Sequence, residues 1–136
     1  MTDTRPRVLV IEDDPLIARL IGKILETEGF EADKAGDGKA GCARADDQDF
    51  DLIVLDFNLP DIDGTEVLRR LNASPRSCKT PILLTTAHSK MPFDRAKFGD
   101  RPLLFLEKPF ERRQLIEKVR EILRQRDAWQ LTSDLQ

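Results

Sequence analysis

Four short runs of uninterrupted apolar residues constrain the fold of this 136-residue chain more than any other feature. They are Val8–Ile11, Leu52–Leu55, Ile82–Leu84 and Leu103–Leu106. Because apolar and polar residues do not alternate within these runs, they are typical of strands buried on both faces, in a parallel sheet that helices cover. A fifth segment, Phe30–Ala35, does alternate, which predicts a strand at an edge of the sheet.

Helical patterns lie between the strands. Apolar residues recur at helical spacing from Ile17 to Leu25, after Asp14 as a good N-cap and Pro15 at the first helical position. Gly29 is suited to end this helix. Three more helices are predicted over 37–46, from Gly64 to Leu71 and from Leu115 to Leu123.

Strand and helix alternate along the chain about five times, which is typical of parallel βαβ units with right-handed crossovers. We therefore expect an α/β fold, a doubly wound five-stranded parallel sheet with helices on both faces. The fourth helix should fall within 88–99, where Pro92 and sparse apolar residues predict a short or irregular segment.

Length and charge narrow the class of protein. A chain of 136 residues fits one domain, and its formal net charge of -3 is a poor match for nucleic-acid or anionic-membrane binding. The apolar runs are too short for a signal-peptide core or a membrane span, so we predict a cytoplasmic protein. Cys42 and Cys78 fit no metal-binding spacing and are expected to be free thiols.

Chemically active side chains follow the predicted strands at their carboxyl ends. Glu12 and Asp13 follow the first strand, Asp56 ends the third, Thr86 the fourth, and Lys108 follows the fifth. In a doubly wound sheet these ends meet at one edge, where ligands bind. Each residue alone is most simply a loop, cap or surface residue, but their arrival together at one edge favours a site.

The residue types at this edge indicate phosphoryl chemistry. Clustered carboxylates repel one another unless a cation joins them, and hard oxygen ligands suit Mg²⁺. Lys108 supplies a positive charge and Thr86 a hydroxyl donor for phosphate oxygens. The set suits attack by the Asp56 carboxylate on phosphorus to give an aspartyl phosphate.

Four segments together resemble the receiver domain of two-component response regulators, over roughly residues 7–126. Each segment is a weak signal alone, but all four in order and at the proper spacing are highly specific. The matching segments are Val8–Pro15, Asp51–Pro60 with Asp63 and Gly64, Pro81–Ala87, and Phe105–Phe110.

The resemblance implies a flavodoxin-like strand order, 2-1-3-4-5, and a role for each site residue. Asp56 is similar to the phosphoacceptor, with Glu12 and Asp13 as the acidic pair that holds Mg²⁺, or Mn²⁺ in its place. The backbone carbonyl of Asn58 would be a further metal ligand. Thr86 and Lys108 resemble the residues that bind the phosphoryl group.

The resemblance also implies a conformational switch and residues that affect how fast the phosphoryl group is hydrolysed. Phe105 stands where the family has an aromatic residue that turns inward when Thr86 moves toward the phosphate. Asn58 and His88 occupy positions that border the phosphate and tune hydrolysis in similar proteins. A cis peptide is expected between Lys108 and Pro109.

By the same resemblance, the phosphodonor is a histidine kinase or a histidine phosphotransfer protein, and the output is contact with a downstream protein target. We expect no direct nucleic-acid or membrane contact and leave the oligomeric state open. The receiver domain is predicted over 1–126, followed by a C-terminal tail over 127–136, with no effector domain. The protein is expected to signal rather than to be an enzyme, with at most slow self-dephosphorylation.

Other functions fit the residues less well. A degenerate receiver that docks proteins without phosphorylation is the nearest alternative. An aspartyl-phosphate phosphatase would require a second acidic residue at the position of Asn58. A protein that binds a nucleotide or flavin is disfavoured because the acidic residues after the first strand would repel the phosphate of the ligand. A Ca²⁺ loop over 56–63 fails because Pro60 and Asp61 stand where a ligand and a glycine are needed.

Overall fold

A computed structural model describes residues 5–87 and 101–134 of the chain. These residues contain five strands and four helices, and strand and helix alternate as the apolar pattern predicts from residue 7 to residue 86. The strands are β1 (Arg7–Ile11), β2 (Glu31–Ala35), β3 (Leu52–Asp56), β4 (Ile82–Thr86) and β5 (Leu103–Glu107). The helices are α1 (Pro15–Thr27), α2 (Gly38–Asp47), α3 (Gly64–Ala73) and α4 (Arg112–Asp134).

The strands form one parallel sheet in the order β2-β1-β3-β4-β5, which confirms the expected topology. In the register of neighbouring strands, Asp56 lies beside Thr85 and Thr86 lies beside Glu107. The last residues of β3, β4 and β5 therefore share one edge of the sheet. This is the edge where the sequence predicts the site.

Helices cover both faces of the sheet, which is why its strands are apolar without alternation. On one face, Leu55 belongs to a core with Leu68 of α3 and Ala45 of α2. On the other face, Val54 belongs to a core with Ile24 of α1 and Leu115 of α4, among others. The two adjacent residues Val54 and Leu55 thus point to opposite cores, and both are almost fully buried.

Local sequence signals set the ends of α1. The Asp14 carboxylate accepts a hydrogen bond of 2.9 Å from the backbone N–H of Leu16, and Pro15 occupies the first helical position, as predicted. Beyond the helix, Gly29 has a φ of 92°, a left-handed conformation that favours glycine. The chain then turns directly into β2, whose position at the sheet edge confirms the prediction from its alternating pattern.

Two expectations from the sequence need correction or completion. The uninterrupted apolar run of β5 predicts burial on both faces, but Leu104 and Phe105 are only half-buried because β5 is the second edge strand. The last helix continues to Asp134, through most of the segment assigned to a tail, and the domain boundary at 126 stays a prediction. The predicted fourth helix within 88–99 lies outside the described residues.

Candidate functional site

The three predicted acidic residues come together at the carboxyl edge of the sheet. Glu12 and Asp13 follow β1, Asp56 ends β3, and one carboxylate oxygen of each lies within 4.8 Å of the others. Glu12 is 3% exposed and Asp56 is 4% exposed, whereas Asp13 is exposed. The cluster therefore spans from the core to the surface, and Asp56 is nearly buried but not sealed off.

Lys108 joins this cluster from the end of β5. Its Nζ lies 2.9 Å from Oε1 of Glu12 and 3.4 Å from Oδ2 of Asp56. Burial acts to lower the pKa of the Lys108 ammonium, but the hydrogen bond to Glu12 and the charge of Asp56 outweigh burial and raise it. Lys108 is therefore a fixed positive charge between two buried carboxylates.

The charge of Lys108 does not balance the cluster. Burial, together with the neighbouring Asp56 carboxyl, raises the pKa of Glu12 to about 7, although Lys108 acts to lower it. Three carboxylates beside one ammonium leave a surplus of negative charge, which a divalent cation would neutralise. The possible metal ligands are hard carboxylate oxygens, which suit Mg²⁺. They lie at the carboxyl ends of two neighbouring strands, β1 and β3.

The loop after β3 contributes backbone groups to the site. The N–H of Asn58 donates a hydrogen bond of 3.1 Å to Oδ1 of Asp56, which orients the carboxylate. A Cβ added to Gly64 would lie 2.5 Å from the carbonyl oxygen of Phe57, so α3 begins tightly against this loop and requires glycine there. The role of the Asn58 carbonyl as a metal ligand stays a prediction.

Thr86 and Phe105 lie on the adjacent strands β4 and β5. Thr86 is buried at the end of β4, and its carbonyl accepts a 2.7 Å hydrogen bond from the N–H of Lys108. Phe105 is half-buried, lies opposite Leu84 in the register and packs on the core that α2 and α3 cover. The peptide between Lys108 and Pro109 is cis, as predicted.

His88 lies outside the described residues, so its predicted place beside the phosphate is not described. The switch roles of Thr86 and Phe105 and the tuning role of Asn58 also stay predictions. The structure does place Thr86 and Phe105 on neighbouring strands, with Thr86 buried at the end of β4 and Phe105 packed on one core.

Asp61, in the loop after β3, makes a contact with α2 that the sequence does not predict. Its two carboxylate oxygens accept hydrogen bonds of 2.9 Å each from the N–H groups of Gly38 and Lys39, at the start of α2. A carboxylate is favoured at a helix N-terminus, which is the one signal that points to such a contact. The sequence does not show that a helix start and a loop residue distant in the chain lie together.

Comparisons with known proteins agree with this geometry. The family model of the response regulator receiver domain matches residues 8–120. The transcriptional regulator RpaA of Synechocystis, described as a DNA-binding dual master regulator, is 37% identical over 122 residues, which are 90% of this chain. Because the match covers 51% of RpaA, the chain spans about half the length of this relative.

Solved structures show the same fold. The chemotaxis response regulator CheY4 of Vibrio cholerae has a TM-score of 0.80 at 26% identity, over 88% of this chain and 99% of that one. The receiver domain of a sensor histidine kinase from Pseudomonas aeruginosa, with a magnesium ion coordinated in its active site cleft, has a TM-score of 0.77 at 27% identity, over 88% of this chain and 98% of that one. The strand order, the acidic cluster and the match over residues 8–120 agree, and the chain belongs to the response regulator receiver domain family.

Proposed function

We propose that this chain is a phosphoacceptor, in which Asp56 takes a phosphoryl group from a phosphohistidine of a histidine kinase or a histidine phosphotransfer protein. One observation carries the proposal: Nζ of Lys108 reaches both Glu12 and Asp56, inside a cluster of three carboxylates. This arrangement combines a nucleophilic carboxylate, a fixed cation and a set of hard oxygen ligands.

The transfer is an exchange of bonds at phosphorus. A carboxylate oxygen of Asp56 forms the new P–O bond while the P–N bond of the phosphohistidine breaks. The electron pair of the P–N bond stays on the imidazole nitrogen of the donor, which then takes up a proton. The product on this chain is an acyl phosphate, and the phosphoryl group is conserved throughout.

The surrounding residues position the nucleophile and stabilise charge. The N–H of Asn58 holds one oxygen of Asp56, and Lys108 holds a positive charge beside the other. Lys108 and the Thr86 hydroxyl would bind the oxygens of the transferred group. Bound Mg²⁺, held by Glu12, Asp13 and Asp56 with the Asn58 carbonyl, would neutralise charge on the phosphoryl oxygens.

The output of the reaction is a change in protein contacts. We propose that phosphorylation shifts the population between two states of the chain in which Thr86 and Phe105 differ, and that a downstream protein binds one state better. The related receiver domain that holds magnesium in its active site cleft supports Mg²⁺ as the cation. The relatives that are transcriptional regulators do not select one class of downstream partner for this chain. The protein would work in the cytoplasm as a signalling partner, with slow self-dephosphorylation as its one reaction without a donor.

The decisive test is phosphorylation by a small donor. The purified chain is incubated with MgCl₂ and acetyl phosphate, and its intact mass is followed by mass spectrometry. We expect a gain of one phosphoryl group that requires Mg²⁺ and that is lost in Asp56→Asn. The matched control is Asp51→Asn, because Asp51 flanks the opposite end of β3 and should leave the modification intact.

Other outcomes would point to the alternatives. Absence of the modification with acetyl phosphate and with a set of phosphorylated histidine kinases would favour the unphosphorylated docking module. Repeated turnover of p-nitrophenyl phosphate, dependent on Asp56, would favour the aspartyl-phosphate phosphatase. A mass gain that survives Asp56→Asn would contradict the assignment of Asp56.

A further inference from the structure

We propose that Asp61 is a positioning residue for the metal and phosphoryl site, an inference that rests on the proposed function. Its carboxylate ties the loop over 57–63, here called the β3–α3 loop, to the start of α2. The tie holds Asn58 in the place from which it orients Asp56. Within residues 5–87 and 101–134, no hydrogen bond or ion pair joins Asp61 to Asp56, Glu12 or Asp13, so Asp61 would act through the loop.

The tie is a two-oxygen contact with consecutive backbone groups. One oxygen of Asp61 accepts from Gly38 and the other from Lys39, each at 2.9 Å. The first N–H groups of a helix lack partners within the helix and carry its positive end. A carboxylate that pairs with two of them in a fork is a directional contact, so it fixes the position of the loop as well as its distance from α2.

Packing reinforces the contact at the next residue. A Cβ added to Gly38 would lie 2.5 Å from Cγ1 of Ile62, so Ile62 packs directly on the backbone of Gly38. Asp61 and Ile62 thus hold the same residue of α2, one by hydrogen bonding and one by apolar contact. The middle of the β3–α3 loop is therefore held against the start of α2 by Asp61 and Ile62.

The start of the loop is part of the site. The N–H of Phe57 donates a 2.9 Å hydrogen bond to the carbonyl of Thr85, and the N–H of Asn58 donates to Asp56. Pro60, with its fixed φ, stands directly before Asp61 and stiffens the path between Asn58 and the tie. Loss of the tie would let the middle of the loop move, and Asn58 would move with it.

Asp37 provides a matched control for this idea. Its carboxylate also caps α2, by accepting a 2.7 Å hydrogen bond from the N–H of Ala40, but it belongs to the helix end and not to the β3–α3 loop. Removal of either carboxylate weakens the start of α2. Only removal of the Asp61 carboxylate also releases the loop.

The first experiment compares Mg²⁺ binding in four proteins: wild type, Asp61→Ala, Asp61→Asn and Asp37→Ala. Backbone amide chemical shifts of labelled protein are followed as MgCl₂ is added. We expect about threefold weaker Mg²⁺ binding in Asp61→Ala, less than the roughly tenfold or greater loss that follows removal of a direct outer partner of a metal ligand, because Asp61 acts through the loop. Asp61→Asn keeps one acceptor oxygen and should fall between, while Asp37→Ala should bind Mg²⁺ as the wild type does.

The second readout uses the wild type alone and does not depend on a variant that folds. If the tie favours Mg²⁺ binding, then Mg²⁺ must favour the tie by the same factor. Hydrogen exchange of the Gly38 and Lys39 amides should therefore slow on addition of Mg²⁺, and the amide of Ala40 should change less.

The outcomes separate this inference from the proposed function. If the wild type binds Mg²⁺ and is phosphorylated on Asp56, but Asp61→Ala behaves like Asp37→Ala, then the positioning role is wrong and the phosphoacceptor role stands. Unchanged exchange at Gly38 and Lys39 in Mg²⁺ would overturn the positioning role in the same way. A wild type that neither binds Mg²⁺ nor accepts phosphate would overturn both.

Discussion

The two ends of the parallel sheet hold charge in opposite ways. At the amino end, Asp51 accepts a 2.8 Å hydrogen bond from the backbone N–H of Arg7 and pairs with Arg126 at 3.1 Å. At the carboxyl end, three carboxylates share one ammonium, and the pKa of buried Glu12 is raised to about 7. Charges are matched at the amino end, whereas a surplus of carboxylates over ammonium groups remains at the carboxyl end.

A buried arginine at the amino end of the sheet also has its hydrogen-bond partners nearby. Arg101, 3% exposed, donates to the carbonyls of Ser77 at 2.8 Å and Thr80 at 3.2 Å, and to the side-chain oxygen of Asn72 at 3.0 Å. These contacts join the start of β5 to the turn between α3 and β4. The three contacts bind a buried side chain to neighbouring elements at the amino end of the sheet, which is a structural role.

The largest expected effect comes from breaking the amino end. Arg101→Ala should lower the free energy of unfolding by about 3 kcal/mol, because it removes the hydrogen bonds that Arg101 donates to Ser77, Thr80 and Asn72 and opens a cavity where a buried side chain stood. Urea unfolding of both proteins measures the difference. Exposed Arg113 is the control, and Arg113→Ala should change stability by no more than about 0.5 kcal/mol. Equal effects at the two positions would contradict a structural role for Arg101.

A change of opposite sign is expected at the carboxyl end. Like charges about 5 Å apart repel by about 3 kcal/mol at an effective dielectric constant of about 20, and Asp56 faces two such charges but only one ammonium. Asp56→Asn should therefore raise the free energy of unfolding by about 1 kcal/mol in buffer with EDTA at a pH well above 7, where Glu12, with its pKa raised to about 7, carries its full charge. Added MgCl₂ should stabilise the wild type but not the variant. A variant less stable than the wild type in EDTA would show that the cluster holds no surplus charge.

The same substitution at the other end of β3 should have the reverse effect. Asp51→Asn removes the charge that pairs with Arg126 and weakens the contact with the N–H of Arg7. We expect a loss of about 1 kcal/mol in the free energy of unfolding, independent of Mg²⁺. Guanidinium would screen this pair, so urea is again the denaturant. Stabilisation by Asp51→Asn would remove the contrast between the two ends.

Much of the carboxyl end could be predicted because its signals are local and repeated. The four apolar runs predicted the strands, and the rule that parallel strands end at one edge brought Glu12, Asp13, Asp56 and Lys108 together. Strand order came from the resemblance to a family. Each step depended on short segments whose pattern is visible without knowledge of distant contacts.

The contacts that the sequence did not predict join segments far apart in the chain. The burial of Arg101 contradicts the usual exposure of arginine, and its oxygen partners are backbone groups that no pattern marks. The tie of Asp61 to α2 depends on how two loops meet over the sheet. Such contacts follow from the packed fold, so the sequence reveals them only after the topology is known.

The smallest expected effect concerns Glu66. It tests whether every carboxylate at the carboxyl end of the sheet lacks a matching positive charge. Glu66, in the first turn of α3, is held by Arg69 and by Arg70 at 3.2 Å, and their hydrogen bonds lower its pKa to about 2. Since this pKa lies below the ordinary value, any stability from the contact is present above pH 4.5 and is lost as the pH falls toward 2.

Because Glu66 and its arginines face solvent, salt should weaken their interaction. We expect the pKa of the Glu66 carboxyl, followed by NMR, to rise toward 4.5 in about 1 M NaCl, and Glu66→Gln to lower the thermal midpoint at neutral pH slightly, and by less in high salt than in low salt. A lowered pKa that does not change with salt would mean that the group is shielded from solvent. With the expected result, Glu66 is a matched carboxylate near the unmatched cluster, and the surplus belongs to Glu12, Asp13 and Asp56 rather than to this end of the sheet as a whole.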